Sequence, residues 1–254
     1  MKKVKKMRFI SVIASIGLMM FFACTQRKNL VPNTISDGEH TLTVLYDDDF
    51  RIQELLSETY KYSFFYNGKG NLIKITGLYS NLNEEFEYYF SYSGDTVTVK
   101  HLRSASGFEA DNVYIIDEKG YAKKVSTQNN YDIRSEEVFL YDQDGNLLNI
   151  NRKEQLGMFF PAVSSMISFE YDNAHGIFKN INAPKWLYLF IDKQISDYNG
   201  FFLSMQNNVI KKTIHGNYPI SHNCIYTYKN NYPETMIITG TFERFQYITY
   251  INKK

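Results

Sequence analysis

Three groups of side chains have the residue types and the spacing to do chemistry. Cys224 and His222 lie two residues apart, and a thiol next to an imidazole base is an arrangement that activates a nucleophile. The consecutive carboxylates Asp47–Asp49 offer the oxygen ligands that Ca²⁺ prefers. Trp186, in an apolar segment, offers a flat ring on which a ligand could stack. These groups raise three possibilities: a catalytic thiol, a calcium site and a ligand platform.

Each group also has a plainer interpretation. Cys224 lies in an alternating run, residues 223–228, and is most simply a buried small apolar residue. Asp47–Asp49 fall in a predicted turn and lack the other ligands of a full oxygen cage. Trp186 is most simply part of the core, because buried aromatic side chains are chiefly structural. We therefore predict no catalytic residue, no metal site and no cofactor, and we keep Trp186 as the ligand-binding candidate.

Other motifs of chemistry are not found in the sequence. The five histidines have no cysteine or carboxylate partners at ligand intervals, and there is neither a phosphate-binding loop nor a Gly-x-Ser-x-Gly elbow. A carboxylate pair of the glycosidase type could still be assembled from distant strands. The histidines are His40, His101, His175, His215 and His222.

The first 24 residues have the organisation of a secretory leader. Cations at positions 2, 3, 5, 6 and 8 precede an uncharged, mostly apolar run of 15 residues, 9–23, which is too short for a comfortable transmembrane helix. The ending at Ala23-Cys24 resembles a bacterial lipobox, with Phe21 where leucine is usual. This resemblance implies that signal peptidase II cuts before Cys24 and that acyl chains such as palmitate are attached there. The alternative is an ordinary secretory signal with a chance cysteine.

Composition excludes several classes of protein. The chain has 254 residues, of which 44% are hydrophobic and 22% charged, so it is not a disordered chain. Two cysteines cannot build a disulfide scaffold. Without the five leader cations, 23 Lys+Arg face 27 Asp+Glu, a net charge of −4, and this balance does not favour nucleic acid as a partner. Residues 25–40 are polar and aperiodic, and we predict a flexible tether there, before a domain at 41–254.

A degenerate repeat runs through that domain. Its clearest copies are residues 139–150, FLYDQDGNLLNI, and residues 64–75, FFYNGKGNLIKI. The shared frame is an aromatic residue, any residue, Tyr, Asp or Asn, two residues, Gly, Asn, Leu, two residues and Ile. Weaker copies place further anchors, and Phe50 replaces the glycine in the first of them. The anchors lie at positions 46, 66, 92, 116, 141, 171, 205 and 228.

Each copy predicts a β-hairpin. The Asp or Asn starts a turn by bonding to its own backbone, and the glycine supplies a positive φ. Before the turn, alternating aromatic residues place one column of side chains on one face of a strand. Tyr60, Tyr62, Phe64 and Tyr66 share that face, whereas Lys61 has the opposite parity. Eight hairpins predict about 16 strands.

Three segments need separate interpretation. Residues 50–60 have apolar residues at helical spacing, but the repeat register favours a strand. Residues 153–166 and 182–200 are longer than hairpin turns and rich in large apolar groups. We predict that both segments fold over the apolar face as short helices or caps. The predicted fold is all-β: a single large, strongly curved antiparallel meander, either a half-barrel or barrel-like, with short helical or loop caps.

The repeat frame resembles the YD repeats of Rhs-type shell proteins, which form long curled β-sheets. Together with the lipobox and the segment Ile177–Ile181 after a Tyr-Asp hairpin, the chain resembles a family of Bacteroidales outer-membrane lipoproteins of unknown function with a porin-like fold. The resemblance covers about residues 41–254. It implies a strongly curved antiparallel sheet and an outer-membrane setting, and it implies no particular activity.

These features predict a non-enzymatic binding or scaffold module that acylated Cys24 tethers to the outer membrane. Its partners would be the lipid bilayer and either a glycan or an envelope protein, and which side of the membrane it faces is undecided. The alternative is an envelope lipoprotein that hydrolyses glycans or esters. A true transmembrane barrel is a third class. Charged residues interrupt many strands, and the end Ile251–Lys254 lacks the terminal aromatic residue typical of such barrels.

Overall fold

The computed structural model describes residues 30–80, 84–104, 106–157, 161–196, 202–216, 218–240 and 244–252. The chain divides into a compact unit, Val31–Ile251, and a second unit made of its two ends, Met1–Leu30 and Asn252–Lys254. The predicted signal peptide 1–24, the acylation site Cys24 and the first part of the predicted tether, 25–29, lie outside the described residues.

Within the described residues, sixteen antiparallel strands form a closed barrel. Each strand pairs with its neighbours in sequence, and β1 closes the barrel against β16. The antiparallel meander of about 16 strands is therefore confirmed, and the sheet is closed rather than open. The strands are β1 Leu30–Ser36, β2 Thr41–Tyr46, β3 Ile52–Leu56, β4 Tyr60–Tyr66, β5 Leu72–Tyr79, β6 Glu84–Ser93, β7 Thr96–Arg103, β8 Glu109–Ile116, β9 Ala122–Asn129, β10 Ile133–Tyr141, β11 Leu147–Leu156, β12 Val163–Tyr171, β13 Val209–His215, β14 Ile220–Lys229, β15 Tyr232–Thr239 and β16 Arg244–Asn252.

The predicted turns form with the chemistry of the repeat frame. Asp142 Oδ1 accepts hydrogen bonds from the backbone N–H groups of Asp144, Gly145 and Asn146 at 2.7–2.9 Å, and Gly145 has a φ of 94°. Phe50, which replaces the glycine in its copy, adopts the same left-handed conformation with a φ of 58°. The position in the frame therefore sets the backbone conformation, and glycine is only its easiest occupant.

The turn after Tyr228 lacks glycine and uses asparagine instead. Asn230 and Asn231 have φ values of 54° and 67°. Two consecutive residues with positive φ are the requirement of a two-residue type I′ hairpin, and asparagine tolerates that conformation better than most residues. The missing glycine therefore leaves the β14–β15 hairpin intact.

The anchor position of the frame has two roles beyond the turn. In six strand pairs the register shifts next to it, which marks a β-bulge. The anchor tyrosine also points inward and bonds to the start of the preceding strand. Tyr66 donates to the carbonyl oxygen of Ile52 at 2.9 Å, and Tyr171 donates to that of Leu147 at 3.0 Å. These bonds tie the end of one strand to the beginning of the strand before it.

The predicted faces are also confirmed. Tyr62 and Phe64 are 3% and 5% exposed, whereas Phe65 between two inward residues is 46% exposed. Outward positions carry ion pairs, such as that between Lys74 Nζ and Glu87 Oε1 at 2.6 Å. Residues 50–60 contain β3 and the start of β4, as the repeat register predicts. The aromatic column therefore faces the barrel interior, and ion pairs such as Lys74–Glu87 lie on the outer face.

The tether predicted for residues 25–40 is wrong over its described part. Leu30–Ser36 form β1, which pairs with β2. Thr34 Oγ1 also hydrogen-bonds with Thr249 Oγ1 of β16 at 2.6 Å. The segment lacks the aromatic alternation of the other strands, but it lies between two strands whose edges need partners. The barrel therefore begins at about residue 30 rather than 41.

The copy predicted at Met205 is not a hairpin. Residues 172–208 form one long connection between β12 and β13. The copy at Tyr171 precedes this connection, and the copy at Met205 lies near its end. Six hairpins with short turns, the β12–β13 pair, β1 and β16 account for the sixteen strands. Among the described residues, the predicted strand number is therefore right although one predicted hairpin is wrong.

The cap predicted over residues 153–166 is also wrong. Strand β11 runs to Leu156 and β12 begins at Val163, and Glu154 pairs with Val163. Leu156 and Val163 are 52% and 64% exposed. These residues extend two strands rather than covering the core, because the backbone pairing continues past the apolar face. Residues 158–160 lie outside the described part of the chain.

The short helix predicted within residues 182–200 is present as α1, Lys185–Ser196. It lies inside the barrel, and its residues 186–191 are each no more than 3% exposed. Among the described residues, no helix has the length and apolar character needed to span a membrane. Helix α1 belongs to the connection between β12 and β13, residues 172–208, whose described part, 172–196 and 202–208, is called the plug segment below.

Candidate ligand-binding cavity

The two ends of the barrel differ in their connections. The connections that follow even-numbered strands, such as β2–β3 and β10–β11, carry the Asp-Gly turns and lie at one end, called the turn end. The connections that follow odd-numbered strands, such as β1–β2 and β3–β4, lie at the opposite end, called the loop end. Because the plug segment follows β12, it starts and finishes at the turn end.

The plug segment is fixed to the turn end by hydrogen bonds to several separate turns. Backbone and amide groups of the segment bond to turns that are far apart in sequence, so the segment lies across this end of the barrel. The bonds are Asn182 N to Phe50 O at 3.0 Å, Trp186 N to Gly120 O at 3.0 Å, Asn207 N to Asn146 Oδ1 at 3.2 Å and His175 N to Asn231 O at 3.1 Å.

Trp186, the ligand candidate from the sequence, lies under this cover. Its side chain is 3% exposed, and its ring centroid is 5.8 Å from those of Phe90 and Tyr114 and 6.4 Å from that of Tyr92. A ligand could stack on the indole ring only by displacing these neighbours. The structure therefore places Trp186 in the core, in agreement with its plainer interpretation.

A cavity of about 410 Å³ lies on the other side of the barrel interior. Its lower part is apolar: Phe202 and Val209 are 1% and 2% exposed and form the floor. Its walls come from β1, β2 and β4 on one side and from β13–β16 on the other. The rim at the loop end is polar and includes Asp37, Glu58 and Arg244. The cavity therefore has an apolar base and a charged opening.

The wall formed by β14–β16 is ordered by strand register. Cys224 pairs with Ile238, and Ile238 pairs with Arg244, so these three side chains form one level. Tyr226, Met236 and Gln246 form the next level, farther from the loop end. Since alternate residues of a strand point to the same face, all six side chains line the cavity. The tyrosine hydroxyl of the deeper level is occupied, because it donates to Val209 O at 2.8 Å.

Cys224, the candidate nucleophile, is one of these wall residues. Burial raises the pKa of its thiol to about 11, so the thiol is protonated at neutral pH. His222 points to the same face of β14, and burial lowers the pKa of its imidazole. Because the thiolate is the nucleophilic form of cysteine, the environment of Cys224 disfavours nucleophilic chemistry.

The carboxylate of Asp37 at the rim is stabilised in its charged form. Its Oδ1 accepts hydrogen bonds from the backbone N–H groups of His40 at 2.7 Å and Glu39 at 3.1 Å. These bonds, together with the nearby charge of Arg244, lower the pKa of Asp37 against the opposing effect of burial. The rim therefore presents a negative charge beside a guanidinium group at neutral pH.

The carboxylates Asp47–Asp49, the candidate calcium ligands, lie in the β2–β3 turn at the opposite end. Arg51 neutralises two of them, with its Nε 2.7 Å from Asp47 Oδ2 and its Nη2 3.1 Å from Asp49 Oδ2. Within the described ranges, no three His, Cys, Asp or Glu side chains are grouped so that they could hold a metal ion. The predicted solvated turn is the better description of this cluster.

Sequence reasoning missed most of the cavity. Ile35 and Asp37 fall in the segment interpreted as a tether, and Gln246 belongs to no motif. One signal was present: in the alternating strand Arg244–Asn252, polar residues occupy positions 244 and 246, which have the inward parity of Ile248. Inward polar residues in a strand mark either a buried network or the wall of a cavity.

The part of the chain that the structure describes thus forms a closed sixteen-stranded antiparallel barrel with an internal plug and a cavity at one end. No protein-family model matches it, and no curated protein matches it. Among solved structures, it is similar to a porin-like protein from Bacteroides uniformis and to another from Bacteroides vulgatus, each 13% identical in sequence. The first match covers 87% of this chain and 95% of the other, with a TM-score of 0.39. The second covers 87% and 98%, with a TM-score of 0.42.

Similarity at this level does not bear on what the chain binds or does. Solved structures similar to this one are thus porin-like proteins from Bacteroides. Membership of a lipoprotein family and kinship with YD repeats remain predictions from the sequence.

Proposed function

We propose that this chain is an outer-membrane-tethered lipoprotein, anchored through acylated Cys24, that binds a small molecule in its loop-end cavity without converting it. The observation that carries the proposal is the cavity of about 410 Å³. Ligand pockets usually measure about 300–1,000 Å³ and combine mostly apolar walls with a few polar groups. This cavity has that size and that division between an apolar base and a polar rim.

The contrast with the rest of the interior supports the cavity as the site. Helix α1 and its aromatic neighbours fill the barrel near β6–β8, where Phe190 lies 5.1 Å from Tyr88 and 5.5 Å from Phe90 between ring centroids. The plug segment covers the turn end. The rim of the cavity, by contrast, includes the exposed residues His40 and Glu58 at the loop end. A ligand would therefore enter from the loop end.

The chemistry of the wall supports binding rather than catalysis. The only thiol on it, Cys224, has a pKa raised to about 11 by burial. Apolar residues such as Phe202, Val209 and Met236 form the lower part, and a buried apolar base offers few partners for the many hydroxyl groups of a sugar ring. Of the two ligand types expected from sequence, a glycan is therefore less well supported, and a small molecule with an apolar part takes its place.

Chain length supports an orientation for the tethered protein. Val31, at the start of the barrel, lies at the turn end, seven positions after Cys24 in the chain. Seven residues span at most about 25 Å when fully extended. An acylated Cys24 would therefore hold the turn end near the bilayer, and the cavity would open away from it.

Protection of Cys224 from alkylation tests the binding function. In a Cys24→Ala chain, Cys224 is the single cysteine, and N-ethylmaleimide labelling followed by mass spectrometry reports access to the cavity. We expect apolar small molecules to slow labelling and to be recovered unchanged. Conversion of esters or glycans supplied as candidates would instead establish the hydrolase alternative.

Two neighbouring residues of β15 provide a matched control. Ile238 lines the cavity, whereas Ile237 has the outward parity. We expect Ile238→Trp to fill the cavity and abolish protection, and Ile237→Trp to leave it unchanged. Equal protection in the two variants would contradict binding in this cavity.

Membrane extraction tests the tether separately. We expect the native chain to stay with outer membranes through high-salt washing and the Cys24→Ala chain to be released. A Cys24→Ala chain that still fractionates with membranes would contradict a lipid-only anchor.

A further inference from the structure

We propose that the ligand is a neutral single-chain amphiphile whose head group donates hydrogen bonds, and that Gln246 recognises this head group. This inference rests on the proposed function, since it names the chemical class that the loop-end cavity binds. It follows from the volume of the cavity, from its apolar base and from one polar atom that is left without a partner.

The volume sets the length of the apolar part. At the liquid volume of water, about 30 Å³ per molecule, 410 Å³ is room for roughly fourteen molecules. A methylene group occupies about as much space as a water molecule, so the cavity accommodates one alkyl chain of about a dozen carbons. This volume is near the lower end of the range of ligand pockets, about 300–1,000 Å³, and suits one alkyl chain better than two.

The base of the cavity sets the character of that chain. Val209 and Met236 are 2% and 1% exposed, and Ile35 and Leu42 complete the apolar lining from the neighbouring strands β1 and β2. These are aliphatic or thioether side chains from four different strands, and Phe202 at the floor adds an aromatic ring that is itself only 1% exposed. A flexible alkyl chain fits such a lining, because methionine and branched aliphatic residues adapt to irregular apolar shapes.

Gln246 supplies the polar requirement. Its side chain has the inward parity of β16 and lines the cavity at the level of Met236. Its Oε1 atom is buried, and no described residue donates a hydrogen bond to it. A buried acceptor without a donor is destabilising, and a donor that reaches it recovers that free energy. A hydroxyl or amide N–H of a ligand head group would be such a donor.

The rim favours a neutral head group over an anion. Asp37 and Glu58 place carboxylates at the opening, and Arg244 is the guanidinium beside them. Arg244 contributes to the lowered pKa of Asp37, but less than the backbone hydrogen bonds from His40 and Glu39 do. A fatty-acid anion would meet carboxylates at the rim, whereas hydroxyl groups could donate to them. Glycerol or amide head groups therefore match the rim and the deeper Gln246.

Three probes with the same chain length test the inference. They are 1-dodecanoylglycerol, which donates hydrogen bonds, methyl dodecanoate, which does not, and dodecanoate, which is an anion. Binding to the detergent-free Cys24→Ala chain is measured by calorimetry and by protection of Cys224. We expect 1-dodecanoylglycerol to bind about tenfold more tightly than methyl dodecanoate and more tightly than dodecanoate.

A variant pair identifies the residue responsible. Gln246→Leu should remove the preference for 1-dodecanoylglycerol while methyl dodecanoate binds as before, and its Tm should not fall, because an unsatisfied buried polar group is removed. Gln128→Leu, at an exposed outward position of β9, should leave the preference intact.

The possible outcomes separate the two proposals. Equal affinity for the ester and the glyceride, tighter binding of dodecanoate, or a preference that survives Gln246→Leu would overturn the assignment of the head group while binding in the cavity stood. Failure of all three probes to bind or to protect Cys224 would overturn both proposals. If Gln246→Leu did not fold, the wild-type order of the three affinities would still decide the question.

Discussion

The turn end and the loop end of the barrel are built in opposite ways. The turn end consists of repeated, hydrogen-bonded turns, and the plug segment bonds across them. The loop end has irregular connections, and its interior holds the cavity with Asp37 and Arg244 at the rim. The repeat therefore builds and closes one end of the barrel, whereas the candidate site occupies the end that no motif marks. In this sequence the repeated motif marks structural turns, and the candidate site lies at the end of the barrel that lacks the motif.

The largest expected effect concerns the packing of the plug. Phe190 is 2% exposed and contacts the rings of Tyr88, Phe90, Tyr114 and Trp186. Truncation of a buried aromatic residue removes its burial and leaves a cavity, so Phe190→Ala should lower the free energy of unfolding by about 3–5 kcal/mol. Urea denaturation followed by circular dichroism measures this change.

The matched control for that variant is Phe65→Ala. Phe65 lies on the outer face and is 46% exposed, so its truncation should change the free energy of unfolding by less than about 1 kcal/mol. Equal losses in the two variants would mean that the plug is not part of the cooperative core.

A smaller effect is expected from the ion cluster that connects α1 to the barrel wall. Lys193 Nζ lies 2.8 Å from Glu137 Oε2, and Arg152 Nε lies 3.4 Å from Glu137 Oε1, while Glu137 is fully buried. Breaking a buried pair by removing one partner is destabilising by about 3–5 kcal/mol. Lys193→Met should lower the free energy of unfolding by less than this, because Arg152 remains beside the carboxylate.

An exposed pair gives the comparison. Lys100 Nζ and Glu109 Oε2 are 3.8 Å apart, with side chains 53% and 59% exposed. Lys100→Met should therefore change the free energy of unfolding by no more than about 1 kcal/mol. The interpretation of Glu137 as an anchor of the plug fails if Lys193→Met is no more destabilising than this control.

The turns themselves should contribute a pH-dependent stability. Burial alone would raise the pKa of Asp142, but hydrogen bonds from the Asn146 side chain and from backbone N–H groups of its turn outweigh burial and lower the pKa. A lowered pKa in the folded state gives stability that is present above the unfolded pKa of about 3.9 and is lost as the pH falls through the folded value.

We therefore expect Asp142→Asn to lower the free energy of unfolding by about 1–2 kcal/mol at pH 7. The difference from wild type should shrink as the pH falls below about 4. Asp144→Asn, at an exposed position in the same turn, is the control and should show little difference at either pH. Denaturant titrations between pH 2 and pH 7 measure both, and a difference that grew on acidification would contradict the assignment.

Chemical probes can compare the accessibility of the two ends of the barrel without changing the stability of the fold. Cys224 lines the open cavity, and Trp186, the single tryptophan, lies in the covered end. Small uncharged alkylating reagents should reach Cys224 in the folded protein, with a rate that rises with pH toward the thiol pKa of about 11. Acrylamide should quench Trp186 fluorescence weakly until the protein unfolds. Strong quenching in the native state would contradict a covered turn end.

Much of the fold could be predicted from the sequence because the hairpin is a local structure. Asp142 and Gly145 specify a turn through bonds within five residues, and the alternation around Phe64 specifies which face is buried. The exceptions are non-local. Leu30–Ser36 form a strand because β2 and β16 offer it two edges, and Met205 lies in the plug although the segment resembles a repeat copy.

The candidate site was predictable to a smaller extent. Cys224 was noticed and its plainer interpretation holds, since burial keeps the thiol protonated. Trp186 was noticed as a ligand candidate, yet it packs in the core. Gln246 had no local signal beyond its inward parity. Its candidate role depends on the absence of a hydrogen-bond donor to its Oε1 atom among the described residues, and neighbouring sequence does not reveal that absence.

The sequence by itself determined the antiparallel strands, their turns, their inner and outer faces and the approximate strand number, since each of these depends on bonds and side-chain parity within about a dozen residues. The closure of the barrel by β1 and β16, the entry of α1 into one side of the interior and the space left on the other side were decided only by the tertiary structure. They depend on how many strands complete the circle and on how much of the enclosed volume the plug fills. Those are properties of the whole chain rather than of any segment.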